Sequence, residues 1–253
     1  MRRGLIALAL AVGLASAPVA AAAEPEGGLH PYTATYSVSR GNMRVGRMRV
    51  ELARTDQGCW LYESHSRTTG FISFLRDYRI HETTRFRVIE NGVVPFQHVY
   101  TLTGDRKDRN FALAFDWTEL EVRGIVSGEA VTGELTPGAI DRHTILLSSV
   151  LDLRSKRPFP YRLMMIDRAE QKEVEVRIDG EERLNTAAGA FDTVRVVQQR
   201  VDDADKRLIL WLAVAERHLP VRVASVDDDG KTITLDLVEF EFQSMSAAPV
   251  PST

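Results

Sequence analysis

Apolar residues return at every second position through much of the chain, a period that only extended strands with one buried and one wet face can satisfy. Tyr32, Ala34, Tyr36 and Val38 alternate with Thr33, Thr35, Ser37 and Ser39. Val174, Val176 and Ile178 alternate with Glu173, Glu175 and Arg177, and Ile233, Leu235 and Leu237 with Thr232, Thr234 and Asp236. Turn formers separate such runs: Thr55-Asp56-Gln57-Gly58, Asn91-Gly92, Ser127-Gly128, Asp179-Gly180 and Asp227-Asp228-Asp229-Gly230. Their spacing describes a meander of hairpins. Two strands change phase midway, around Gly46-Arg47 and at Leu237-Val238, as β-bulges do, and bulges let a sheet curl. The expected fold is mainly β: a single strongly curved antiparallel sheet or half-open β-barrel of about 10–12 strands, with one longer helix and one short helical turn.

The longer helix is expected from Thr136, a capping residue followed by Pro137, to about Arg154, with Ile140, Leu147, Val150 and Leu151 on one stripe. The short turn is expected over Gly70–Asp77. In one strand Phe111, Leu113, Phe115 and Trp117 share a face opposite Ala112 and Ala114, whose small side chains would let a helix or ligand approach.

The N-terminus reads as an export signal. Arg2 and Arg3 precede an apolar run from Leu5 to about Leu14, and Ala21-Ala22-Ala23 offers a cleavage site before Glu24. The run falls short of the ~18 apolar residues that span a bilayer, so residues 1–23 are expected to be a cleaved signal peptide and not a membrane anchor. The expected location is the periplasm, without an integral membrane span. Residues 24–243 are expected to form a single β-rich domain, and residues 244–253, rich in Ala, Pro and Ser, a disordered tail. Cys59 is the single cysteine, so no intramolecular disulfide is available and packing must stabilise the fold. Loss of Arg2 and Arg3 with the leader would take the net charge from −3 to −5, which argues against nucleic acid as a partner.

Enzyme signatures fail one by one. His81-Glu82-Thr83-Thr84-Arg85 opens like a zinc-protease motif but ends in arginine, and it lies in strand sequence, where i and i+4 are too far apart. Gly230-Lys231-Thr232 resembles the end of a phosphate-binding loop, yet Ser225 stands where the earlier glycine belongs. No G-x-S-x-G or S-x-x-K occurs. The histidines, His30, His65, His81, His98, His143 and His218, are scattered singly without metal-ligand spacing, so no metal and no cofactor are expected. The acidic groups Asp202, Asp203, Asp205 and Asp227–Asp229 read as solvated turns. His81, Arg85 and Arg87, with Arg79 in line, form a basic face that carboxylates such as Glu51 could pair across strands.

The feature with no plain structural account is Phe71, Ile72, Phe74 and Leu75, followed by Tyr78. So many large apolar groups cannot share one side of a single helical turn. They read as a plug on the sheet's core, as a cover over a hydrophobic cavity, or as a contact for a partner protein or membrane surface. The expected ligand-contacting set is Phe71, Ile72, Phe74, Leu75, Tyr78 and Trp117, with no catalytic residues.

An ordered series of motifs resembles the exported bacterial family known as domain of unknown function 3108. It comprises Tyr36-Ser37-Val38 then Gly46; Thr69-Gly70-Phe71 leading to Asp77-Tyr78; and Asp141-Arg142. Next comes Gly189-Ala190-Phe191-Asp192-Thr193-Val194, and last Trp211-Leu212-Ala213 with Leu219-Pro220-Val221-Arg222. The resemblance implies a β-rich exported protein and carries no catalytic residues. The curved sheet with helices on its concave face is similar to periplasmic lipoprotein carriers. Function is therefore expected to be a non-enzymatic carrier for a lipid or other apolar envelope component. A scaffold or protein-interaction factor in envelope biogenesis is the second expectation. An envelope hydrolase is the third; it would require His143, Asp141 and a serine such as Ser148 to meet.

Overall fold

The computed structural model describes residues 28–55, 57–70, 77–89, 92–226 and 230–243. The expected leader, the run Phe71, Ile72, Phe74 and Leu75 in the expected short turn, and the expected tail from residue 244 lie outside the described residues. The first half of the chain runs as β1 (Tyr32–Arg40), β2 (Met43–Arg54), β3 (Trp60–Thr68), β4 (Arg79–Ile89), β5 (Gly92–Thr103), β6 (Phe111–Asp116), β7 (Glu121–Val126) and β8 (Glu129–Glu134). A two-residue β9 (Ile140–Asp141) and the helix α1 (Ile145–Arg154) follow. The second half is β10 (Tyr161–Asp167), β11 (Glu170–Thr186), β12 (Gly189–Arg200), β13 (Arg207–Ala213), β14 (Leu219–Val226) and β15 (Thr232–Phe242).

Among the described residues fifteen strands form one sheet, in the order β8 to β1, then β15 down to β9. The expected 10–12 strands undercount it. β7 and β8 read EVRGIV and EAVTGE, too polar for alternation to show, and β9 is too short to have a period. β9 pairs parallel with β10, whereas the other neighbours are antiparallel. The edge strands β8 and β9 do not pair with each other, so the sheet is not closed into a barrel. Its two ends nevertheless approach: Ile166 of β10 packs with Phe111, Leu113 and Val122 of β6 and β7. Thr136 N also donates to Gln171 Oε1 at 3.1 Å.

Register shifts fall at both phase changes. Between Val38 and Ser39 the partner on β2 jumps from Gly46 to Arg44, leaving Val45 as the extra residue. Between Thr35 and Tyr36 the partner on β15 jumps from Glu239 to Leu237, leaving Val238 extra. Asp179-Gly180 is no turn: it is a bulge between Ile178 and Glu181 within the single long strand β11.

The helix begins later than its sequence suggests. Ala139 N bonds to Thr136 O at 2.9 Å, and Gly138 sits at φ +82, so Pro137-Gly138 makes a tight turn. Ile140 and Asp141 then pair with Met165 and Ile166 as a strand, which removes them from any helix. α1 buries Ile145, Leu147, Val150 and Leu151. They join the main core with Trp60, Phe86, Leu210, Leu212 and Leu237, each such side chain contributing about 2–3 kcal/mol by leaving water.

A smaller core holds Phe111, Leu113, Phe115 and Val122, with Trp117 against it. Ala112 and Ala114 face solvent on the opposite side. β6 and β7 approach so closely at Gly124 that an added Cβ would lie 2.0 Å from the Ala112 carbonyl oxygen. Gly124→Ala is expected to cost about 2 kcal/mol by forcing the two strands apart; an unchanged denaturation midpoint would show that the pair yields freely.

Candidate functional site

Strand register gathers polar residues on the inner face of β3–β5. Ser64 lies opposite Glu82 and Glu82 opposite Tyr100, while Tyr62 lies opposite Thr84 and Thr84 opposite His98. Alternation sends all six side chains inward. The segment Asp141–Thr144 crosses above them.

Asp141, fully buried, organises this crossing. Its Oδ1 accepts from Thr84 Oγ1 at 3.0 Å, from His143 N at 2.9 Å and from Thr144 N at 3.1 Å, and Thr144 Oγ1 donates to Oδ2. Arg142 reaches the other way. Its Nε and Nη2 donate to Glu82 Oε1 at 3.2 and 3.1 Å, its Nη1 lies 3.4 Å from Asp167, and its guanidinium sits 4.8 Å over the Tyr100 ring. His98 Nε2 also meets Glu82 Oε1, at 2.8 Å, while His98 Nδ1 has no hydrogen-bond partner and lies 3.6 Å from Asp141 Oδ1.

Proton counting orients the chain of contacts at His143. Thr84 has one hydroxyl proton and gives it to Asp141, so at 3.2 Å it accepts from His143 Nδ1. His143 Nε2 is then bare and accepts from Ser64 Oγ at 3.1 Å. Burial pushes the His143 imidazole down to about 4, consistent with this neutral form. For Glu82, burial would raise the carboxyl, but His143, Arg142 and the hydrogen bond with His98 outweigh it and hold it well below the usual carboxylate range.

A serine, a histidine and an aspartate therefore do assemble, through Thr84, but not the expected set. Ser148 donates to Ile145 O at 2.7 Å, and the serine that meets His143 is Ser64, 2 % exposed. A nucleophile sealed inside the sheet cannot meet a substrate, so this arrangement reads as structural.

Beside the cluster a concavity of about 710 Å³ opens, with Glu82, Arg142 and His143 along one side. Its apolar wall includes Leu146 of α1, Met165, Leu208, Val223 and Leu235. Its polar rim carries Arg142, Arg168, Arg200, Lys206 and Arg207 against two carboxylates, Glu82 and Asp167. Arg200 is also paired with Asp202 at 2.6 Å. Such a volume lies within the range of small-molecule sites, which join apolar walls to a few polar groups. A second cleft, by Leu29 and Pro220, has about 20 Å³, room for little more than a water.

Of the residues singled out in the sequence, Trp117 and Tyr78 are described, and neither lines the concavity. Trp117 Nε1 donates to Pro95 O at 2.6 Å against the smaller core, and Tyr78 is half-buried where its N meets Thr68 Oγ1 at 3.1 Å. Sequence reasoning missed Ser64, Glu82, Thr84 and His98. The available signal was phase: Ser64 continues the buried Trp60 and Tyr62 on β3, and Glu82 and Thr84 continue Phe86 on β4, whereas a register shift on β5 puts His98 out of phase with Val93 and Pro95.

A family model described as "protein of unknown function (DUF3108)" matches residues 32–238. No curated protein matches the chain. Among solved structures, a β-barrel-like protein of domain of unknown function DUF1849 from Brucella abortus is similar, with a TM-score of 0.56 at 11% identity, covering 86% of this chain and 99% of that one. That likeness shows the fold alone. A Parabacteroides distasonis protein provisionally described as a lipoprotein reaches a TM-score of 0.32 at 8% identity, covering 84% and 96% of the two chains, and carries no argument. No helix among the described residues is long and apolar enough to cross a membrane.

Proposed function

The chain belongs to the DUF3108 family, described only as of unknown function, and from that starting point we propose that it is a non-enzymatic binding protein for an amphipathic ligand, an acyl-type chain ending in an anionic group. The observation that carries this reading is the concavity itself, which joins an apolar wall to a rim of five cationic side chains and two carboxylates. Each methylene buried against the wall would contribute about 0.8 kcal/mol, so a medium-length chain could offset the cost of ordering it. The cationic surplus would select an acidic head over a neutral one. In this reading Phe71, Ile72, Phe74 and Leu75 add further apolar contact, a part of the proposal that rests on sequence. An envelope location likewise rests on the leader-like N-terminus.

The test begins with protein purified without detergent, extracted with organic solvent and analysed by mass spectrometry, followed by titration with a fluorescent fatty acid. Arg168→Glu with Arg207→Glu is expected to weaken binding of the acid about 10-fold, close to 1.4 kcal/mol, while leaving the matching alcohol unaffected. Leu146→Asp is expected to weaken both. An empty extract together with no saturable binding would sink the proposal; equal affinity in the charge-reversed variant would sink its anionic half.

One observation favours a second reading, interaction with an acidic partner in envelope assembly. Arg47 and Arg49 of β2, Arg67 of β3, and Arg79, Arg85 and Arg87 of β4 are all exposed, on the outer face of adjacent strands. Arg79 is paired with Asp77 at 2.8 Å. Crosslinking that captures a stoichiometric acidic protein through this face would support that reading over the carrier.

A further inference from the structure

On that same outer face, histidines far apart in sequence become neighbours. His65 of β3 is directly opposite His81 of β4, and Glu63, two residues before His65, shares their face. The two imidazole rings stack 4.2 Å apart and 10° from parallel. Both turn the same atom to the same acceptor: His81 Nε2 lies 2.5 Å and His65 Nε2 3.1 Å from Glu63 Oε1. One ligand atom from each of the three lies within 4.8 Å of the other two. The His65 and His81 side chains are 54% and 48% exposed, so an ion from solvent has direct access.

We propose that Glu63, His65 and His81 form a surface site for a divalent transition-metal ion, with two imidazole nitrogens and one carboxylate oxygen as ligands and water completing the coordination. As the group stands, two N–H donors converge on a single carboxylate oxygen. With the ring protons carried on Nδ1 instead of Nε2, one metal ion in place of those two protons would bond all three side chains at once. Ligand atoms around zinc at about 2.1 Å stand roughly 3.4 Å from one another, so only small rotations of exposed side chains are needed.

The surroundings also select the ion. Arg49 lies opposite His65 on the neighbouring strand, and Arg67 and Arg79 occupy the next positions along the same face, whereas Glu51 lies opposite Glu63. A net basic neighbourhood disfavours ions held by charge alone, such as Ca²⁺ and Mg²⁺. It leaves those whose bonds to imidazole are strong, Cu²⁺ ahead of Zn²⁺. The buried group of Glu82, His98 and His143 has similar ligand types within 4.8 Å. There, however, Glu82 Oε1 already accepts from Arg142, whose guanidinium occupies the approach.

The experiment uses the full chain without a histidine tag, stripped with chelator, and titrated calorimetrically with Zn²⁺ alone and with Cu²⁺ alone. One ion per chain is expected, with no heat from Ca²⁺ or Mg²⁺. His65→Ala and His81→Ala are each expected to weaken binding at least about 10-fold without moving the thermal melt. With Cu²⁺, the paramagnetic resonance spectrum should show coupling to two nitrogens and lose it in either variant. No stoichiometric binding by the unaltered chain would overturn the proposal. So would binding that survives the double variant and disappears in His98→Asn, which would assign the ion to the buried group. Fatty-acid binding is read separately, so failure of the carrier reading leaves this result interpretable.

Discussion

Replacing Asp141 with alanine should cost about 3–5 kcal/mol, a large part of the roughly 5–15 kcal/mol that holds a typical domain folded. The carboxylate is fully buried and accepts from Thr84, from the amides of His143 and Thr144, and from the Thr144 hydroxyl. Truncation leaves those donors facing protein with no acceptor. Hydroxyls can turn elsewhere, but the two amides cannot, and each buried unsatisfied donor costs about 1–3 kcal/mol. The same change releases the lead-in to α1, so the loss should spread into the main core. Asp141→Asn keeps one carbonyl oxygen for the amides and should cost distinctly less. Urea unfolding followed by tryptophan fluorescence measures both; equal costs for Ala and Asn, or a loss under about 1 kcal/mol for Ala, would remove Asp141 from its organising role.

The second large effect is a loss of stability in mild acid, centred on His143. Its folded-state pKa is held down to about 4 by burial, against about 6.5 in the unfolded chain. Between those values the unfolded chain takes up a proton that the folded protein refuses, so falling pH favours unfolding. The contribution is intact above about pH 6.5 and is lost at up to about 1.4 kcal/mol per pH unit, reaching roughly 3 kcal/mol by pH 4. His218 acts in the same direction, its pKa lowered by partial burial and by Arg154, with less weight because it remains half open to water. Glu82, also held low, extends the loss below the normal carboxylate range. Urea midpoints across pH 4–7 should show this slope in the unaltered protein and a flatter one in His143→Asn. An equally steep slope in the variant would place the titration elsewhere.

Much of the sheet was legible in the sequence because alternation is a local property. The runs from Tyr32, Val174 and Ile233 each became strands, and the two phase changes coincide with displaced register. What escaped was set by distant partners. Ile140 and Asp141 follow a proline and read as helix, but pairing with Met165 and Ile166 makes them a strand. Asp179-Gly180 has turn chemistry, yet β12 continues past it on the other side, so it bulges and does not reverse. The polar cluster was hidden for a related reason. Ser64, Glu82, Thr84 and His98 look like ordinary wet-face residues until register shows them in phase with Trp60 and Phe86. Glu63, His65 and His81 likewise meet only through the β3–β4 register, which no local pattern specifies.

The strand order has a temporal consequence. β1 to β8 form one run of neighbours and β9 to β15 another, and among the described residues the ladder of paired strands joins them where β1 pairs with β15. Gln243 N bonding to Pro31 O at 2.9 Å closes the same seam. During synthesis the first strand made must therefore wait for the last. Until β15 leaves the ribosome, β1 presents an unpaired edge whose buried positions include Tyr32, Ala34 and Tyr36, the kind of edge on which strands from other chains add. The protein is thus most vulnerable to misassembly before synthesis is finished. A chain stopped ahead of Thr232 would keep that exposure permanently, with most of its hairpins still able to form.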